Sequence, residues 1–101
     1  MTTHDRAMEI IQASLDSLTR AGLVDKDMQA QDDTVLLGPG SLLDSIAFVT
    51  FVTELEERIS KEAGRELYLV LNDIHEYNPD NAYLTAGTVA RYLVELTAGP
   101  A

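Results

Sequence analysis

Few side chains in this sequence have spacings that chemistry requires, and testing each in turn leaves one hydroxyl. Ser45 and His75 are a serine and a base that could meet in space, the pairing that nucleophilic hydrolysis uses. The strand-turn-helix context of a Gly-x-Ser-x-Gly elbow is missing, and with it the geometry that would expose such a nucleophile. Asp25 and Asp27 alternate as in a calcium loop, but Ala30 and Leu36 stand where its sixth-position Gly and twelfth-position Glu belong. Gly38-Pro39-Gly40-Ser41 lacks the lysine of a P-loop and does not follow a strand. His4 and His75 have no ligand-type neighbours at helical spacing, so each reads as a solvated or hydrogen-bonded histidine, and no metal site is expected. With no cysteine there is no disulfide, zinc-thiolate site or thiol nucleophile. The chain is therefore not read as an enzyme.

What remains is Asp44-Ser45-Ile46. A tripeptide this loose arises by chance in roughly one chain in twenty of this length, so its setting carries the information. Asp44 is a good N-cap residue, and helix capping alone would explain Asp44-Ser45. Capping does not explain an apolar Ile46 on the solvent side, acids on the same face, and a long acidic loop ahead.

The elements that would position these residues follow from periodicity. Met8, Ile11, Leu15 and Leu18 recur at steps of three and four, giving an amphipathic helix over residues 4–21, with Thr2 and Asp5 as a capping box and Gly22 as its stop. From Leu23 to Leu43 the pattern disappears into a long loop with four acids, whose apolar patch at Val35–Leu37 is expected to pin it across the helices. A second helix begins after Asp44 and ends at Gly64. Phe48, Phe51, Val52, Leu55 and Ile59 form its core face, and Ile46, Thr50, Thr53, Glu54 and Glu57 the opposite one. Glu66–Leu71 has the preferences of an extended segment, but no second strand is evident to pair with it. Asp73–Tyr83 has room for one short helix, and a last helix follows Thr85, with Val89, Leu93 and Leu96 inward and Tyr92 beside them. The expected fold is all-α: one domain over residues 1–101, a bundle of three main helices plus a short additional one, with a long loop between helices 1 and 2.

Bulk properties narrow the partners. Seventeen acidic against seven basic residues give a net charge of -10, which excludes phosphate neutralisation and hence nucleic acid. Residues 1–57 hold eleven of the acids and three of the bases. Such a field favours basic partners, although it also serves solubility alone. No apolar run approaches the ~20 residues that span a bilayer, and no secretory leader is evident. A cytoplasmic monomer without membrane insertion is the expectation.

Leu42-Leu43-Asp44-Ser45-Ile46, followed by Phe48-Val49-Thr50-Phe51-Val52-Thr53-Glu54-Leu55-Glu56-Glu57, strongly resembles the acyl carrier protein family. That family has Asp-Ser-Leu or a close relative at the start of its second helix, then an apolar run ending in a Leu-Glu-Glu-like segment. Leu84-Thr85 through Tyr92-Leu93 is similar to its last helix. The resemblance implies that a phosphopantetheinyl transferase attaches 4'-phosphopantetheine to Ser45, and that the arm's thiol holds acyl groups as thioesters. A phosphate at the first turn would lie beside free backbone N–H groups and the positive end of the helix dipole. The implied partners are that transferase, an acyl-loading ligase, and acyl-transferring or synthase enzymes acting in trans. Their basic patches would dock on Asp44, Ile46, Glu54 and Glu57.

Two departures qualify the likeness. Fatty-acid carriers usually have acids two and five positions after the serine, where this chain has Ala47 and Thr50. The connection from Gly64 to Tyr83 is also longer than usual. Both point from a housekeeping fatty-acid role towards a specialised free-standing carrier of polyketide, modified-lipid or aminoacyl cargo. The alternative is an acidic helical interaction module that carries no cofactor.

Overall fold

The computed structural model describes residues 3–24, 29–37, 43–69 and 84–98, with Leu37 and Ser45 described by backbone alone. Outside these residues lie Thr2, Asp25 and Asp27, the Gly38–Ser41 turn, Leu42, Val70 and Leu71, His75 and the short helix expected over Asp73–Tyr83.

The described elements run α1 (His4–Arg20), β1 (Val35–Leu37), α2 (Ser45–Ala63), β2 (Leu84–Thr85) and α3 (Ala86–Ala98). All three main helices are present, and α1 packs against both α2 and α3. The fold is mostly helical but not purely so. β1 and β2 pair antiparallel, with Val35 opposite Thr85, Leu37 opposite Leu84, and an irregularity between the two pairs. The apolar patch thus pins the loop by strand pairing as well as by packing, since Leu36 and Leu84 are both buried.

Each helix begins and ends for a local reason. The α1 N-cap is Thr3, one residue later than the predicted cap; its Oγ1 accepts the Arg6 amide at 3.1 Å. Gly22 takes φ 79°, which lets the Leu23 amide donate to the Leu18 carbonyl at 3.0 Å and closes the last turn. Gly64, with φ 72°, ends α2 in the same way through the Arg65 amide and the Ser60 carbonyl, 3.2 Å apart. Thr85 Oγ1 accepts the Thr88 amide at the start of α3.

The core is built from the predicted stripes, with additions. Ile11, Leu15 and Leu18 of α1, Phe51, Leu55 and Ile59 of α2, and Val89 and Leu93 of α3 are all buried. Each such side chain contributes about 1.5–3 kcal/mol of burial free energy. Ile10 and Ala47 are buried as well, whereas Met8, Val52 and Leu96 pack only partly against the core.

The loop ahead of β1 is fixed to the start of α3. Gly87 donates its amide to the Asp32 carbonyl at 3.0 Å and Ala86 to that of Thr34 at 2.9 Å. A Cβ on Gly87 would stand 2.8 Å from the Asp32 oxygen, so this approach requires glycine. From the other side, Gln12 Oε1 accepts the Ala30 amide at 2.7 Å, and His4 Nε2 lies 2.8 Å from Asp32 Oδ1. His4 is therefore a hydrogen-bonded surface histidine.

Candidate functional site

Ser45 is the first residue of α2, and the residue before it holds the helix start in place. Asp44 is extended (φ -81°, ψ -178°), and its Oδ1 accepts the Ala47 amide at 2.7 Å while its carbonyl accepts the Phe48 amide at 2.9 Å. The first turn contains no acidic side chain. Its leading amides have no carbonyl within the helix to bond, and the helix dipole adds partial positive charge there. The dipole would favour an anionic group attached at Ser45, and the adjacent Asp44 carboxylate would oppose it.

Anchoring comes from the core face of α2. Ala47, Phe48 and Phe51 are buried immediately beyond the site, with the two rings 6.3 Å apart. At 100° per residue, Ser45 lies on the flank of the helix, about a quarter turn from that core face. Ile46 faces away from the core and is 70% exposed.

Of the predicted docking residues, Asp44 and Ile46 are Ser45's neighbours, but Glu54 and Glu57 lie about 14 and 18 Å further along the axis at 1.5 Å per residue. Neither distant acid stands alone. Glu54 lies 3.6 Å from Arg58 and Glu57 lies 3.6 Å from Lys61, both pairs one turn apart. Arg58 also reaches α1, donating to Ser17 Oγ at 2.8 Å. Both glutamates border a groove of about 440 Å³ between α1 and α2, which has Ile10 and Ala13 among its lining and also carries Arg6, Glu9 and Glu62. The far end of α2 is thus a mixed-charge surface, and the exposed face nearer Ser45 is neutral.

No family model, curated protein or solved structure matches this chain.

The neutral character of that nearer face was not evident from the acidic composition. Val49 is 64% exposed, and its spacing of three from Ile46 is the signal that places both on one side. Thr50 Oγ1 donates to the Ile46 carbonyl and Thr53 Oγ1 to that of Val49, so these hydroxyls bond the helix's own backbone. Among the described residues no cluster of three or more His, Asp or Glu is placed to hold a metal ion, and no helix is long and apolar enough to cross a membrane.

Proposed function

We propose that this chain is an acyl carrier whose Ser45 holds a 4'-phosphopantetheine arm. The observation that carries the reading is the position of Ser45: it opens a long, core-anchored helix directly after a capping aspartate, with an acid-free first turn and an exposed isoleucine behind it. The first-turn amides that the Asp44 carboxylate leaves open suit the phosphodiester, because they supply donors and partial positive charge. When bound, the arm supplies a thiol that holds acyl groups as thioesters.

Attachment requires a phosphopantetheinyl transferase. The Ser45 Oγ would form a bond to the β-phosphorus of coenzyme A, the pyrophosphate linkage would break, adenosine 3',5'-bisphosphate would leave, and the serine proton would pass to a base on the transferase. Asp44 fixes the first turn during that step, and Ile46 offers the enzyme an apolar contact. Glu54 and Glu57 would act as secondary docking acids, since a basic partner must compete with Arg58 and Lys61 for them. The arm's acyl group would be loaded by a ligase and collected by synthase or transferase enzymes. Ala47 supports a specialised pathway over the housekeeping one: its buried position cannot present the acid that fatty-acid carriers usually show there.

The test is intact mass after incubation with coenzyme A and a broad-specificity transferase. The carrier gains one phosphopantetheine and Ser45→Ala gains none. An unchanged mass for the native chain would favour the cofactor-free interaction module.

A further inference from the structure

Where the start of α1 meets α3 the surface dips into two hollows of about 180 and 280 Å³, and His4 and Arg91 line both. Asp32, Thr85, Gly87 and Thr88 complete the smaller hollow. Val94 and Glu95 complete the larger.

The hydrogen bonds of the smaller hollow leave donors over. Thr85 Oγ1 and Thr88 Oγ1 are 3.0 Å apart, so one hydroxyl donates to the other. Thr85 Oγ1 also accepts the Thr88 amide at 3.3 Å, and Thr88 Oγ1 accepts Arg91 Nη2 at 3.4 Å. A hydroxyl has a single proton to give. Whichever threonine donates, the proton of the other has no acceptor among the described residues. Thr88 is 2% exposed, so this pair belongs to the wall of the molecule rather than to its open surface. A polar group left without its partner in such a place costs free energy that an incoming acceptor would recover.

Arg91 adds to the surplus. Its side chain is exposed, and among the described residues its guanidinium pairs with no carboxylate and donates only across the long bond to Thr88. The backbone of α3 contributes nothing more: the amides of Ala86, Gly87 and Thr88 are taken by Thr34, Asp32 and Thr85. The spare donors are therefore side chains, a guanidinium fork beside a hydroxyl.

We propose that these hollows form a binding site for a small organic carboxylate with a short carbon chain. The carboxylate oxygens would accept from Arg91 and from the spare threonine hydroxyl, a charge-assisted arrangement that the planar guanidinium suits. The carbon chain would lie over Val94 in the larger hollow. A monoanion suits the site better than a more highly charged phosphate, because Asp32 and Glu95 border it. The site uses neither Ser45 nor the exposed face of α2, and it stands independently of the carrier reading.

The experiment titrates the unmodified full chain, labelled with ¹⁵N, with sodium butyrate at an ionic strength held constant by sodium chloride. The amides of Thr85, Gly87 and Thr88 and the Nε–H of Arg91 should shift along a saturable curve. Arg91→Gln, a change at an exposed position, should weaken binding about tenfold or more, and Thr88→Val, which keeps the side chain's shape without its hydroxyl, about fivefold. Arg20→Gln removes a guanidinium that also donates to a hydroxyl, Ser17 Oγ, but lies outside both hollows, and should leave the affinity unchanged. Inorganic phosphate should bind more weakly than butyrate. Shifts that do not saturate, an unchanged affinity in Arg91→Gln, or an equal loss in Arg20→Gln overturn the proposal. Tighter binding of phosphate overturns the carboxylate assignment.

Discussion

The carboxylate of Asp44 accepts the Ala47 amide at 2.7 Å, and the residue between its cap and the exposed Ile46 is Ser45. This hydrogen bond sets where α2 begins and fixes the backbone that carries the candidate attachment hydroxyl. Removing it in Asp44→Ala should cost about 1 kcal/mol, within the ~0.5–2 range for lost N-caps. Urea unfolding should show an earlier midpoint with an unchanged slope. Asp44→Asn, which keeps a capping oxygen, should recover most of the loss.

Gly87 makes the opposite kind of demand. In an ordinary first turn Gly→Ala would stabilise the helix by up to ~1 kcal/mol. Here the new Cβ would meet the Asp32 carbonyl at 2.8 Å, and that neighbour is backbone held by a hydrogen bond from Gly87 itself. Gly87→Ala should therefore destabilise by about 1–3 kcal/mol. Thermal unfolding checks the sign, and a higher melting temperature would contradict the contact.

Much of the architecture is legible from the residues. The stripes Ile11–Leu15–Leu18 and Phe51–Leu55–Ile59 repeat often enough to fix two helices and their inward faces, and Asp44 and Gly64 mark the limits of α2. The strand pair is not legible, because Val35–Leu37 and Leu84–Thr85 are too short to show alternation and lie far apart in the chain. The cap of α1 shifted by one residue because Thr2 and Thr3 are both competent and the choice depends on local geometry. The candidate site divides the same way. Ser45 and Ile46 are placed by helix phase alone. The pairing of Glu54 with Arg58 depends on side-chain geometry that composition does not record.

The ion pair joining α1 and α2 gives a pH dependence. Arg6 grips Glu62 through two hydrogen bonds, Nε to Oε2 at 2.9 Å and Nη2 to Oε1 at 3.0 Å, and donates to Glu9 through Nη1. The bonds from Arg6 hold the Glu62 carboxyl below the usual glutamate range. A carboxylate depressed in the folded state contributes stability above its unfolded pKa, and that stability is lost as pH falls through the folded one. Native protein should thus lose more stability than Glu62→Gln between neutral pH and the acid limb. Both are exposed partners, so the difference should be modest and should shrink at high salt. Parallel stability curves for the two proteins across that limb would contradict the assignment.

The carrier account rests most directly on which oxygen receives the arm. After incubation with coenzyme A and a transferase, the peptide containing both Ser41 and Ser45 should be isolated and fragmented in a mass spectrometer. The phosphopantetheine should appear wholly on Ser45. Its appearance on Ser41, or a peptide that stays unmodified while a control carrier in the same tube is fully converted, would contradict the account.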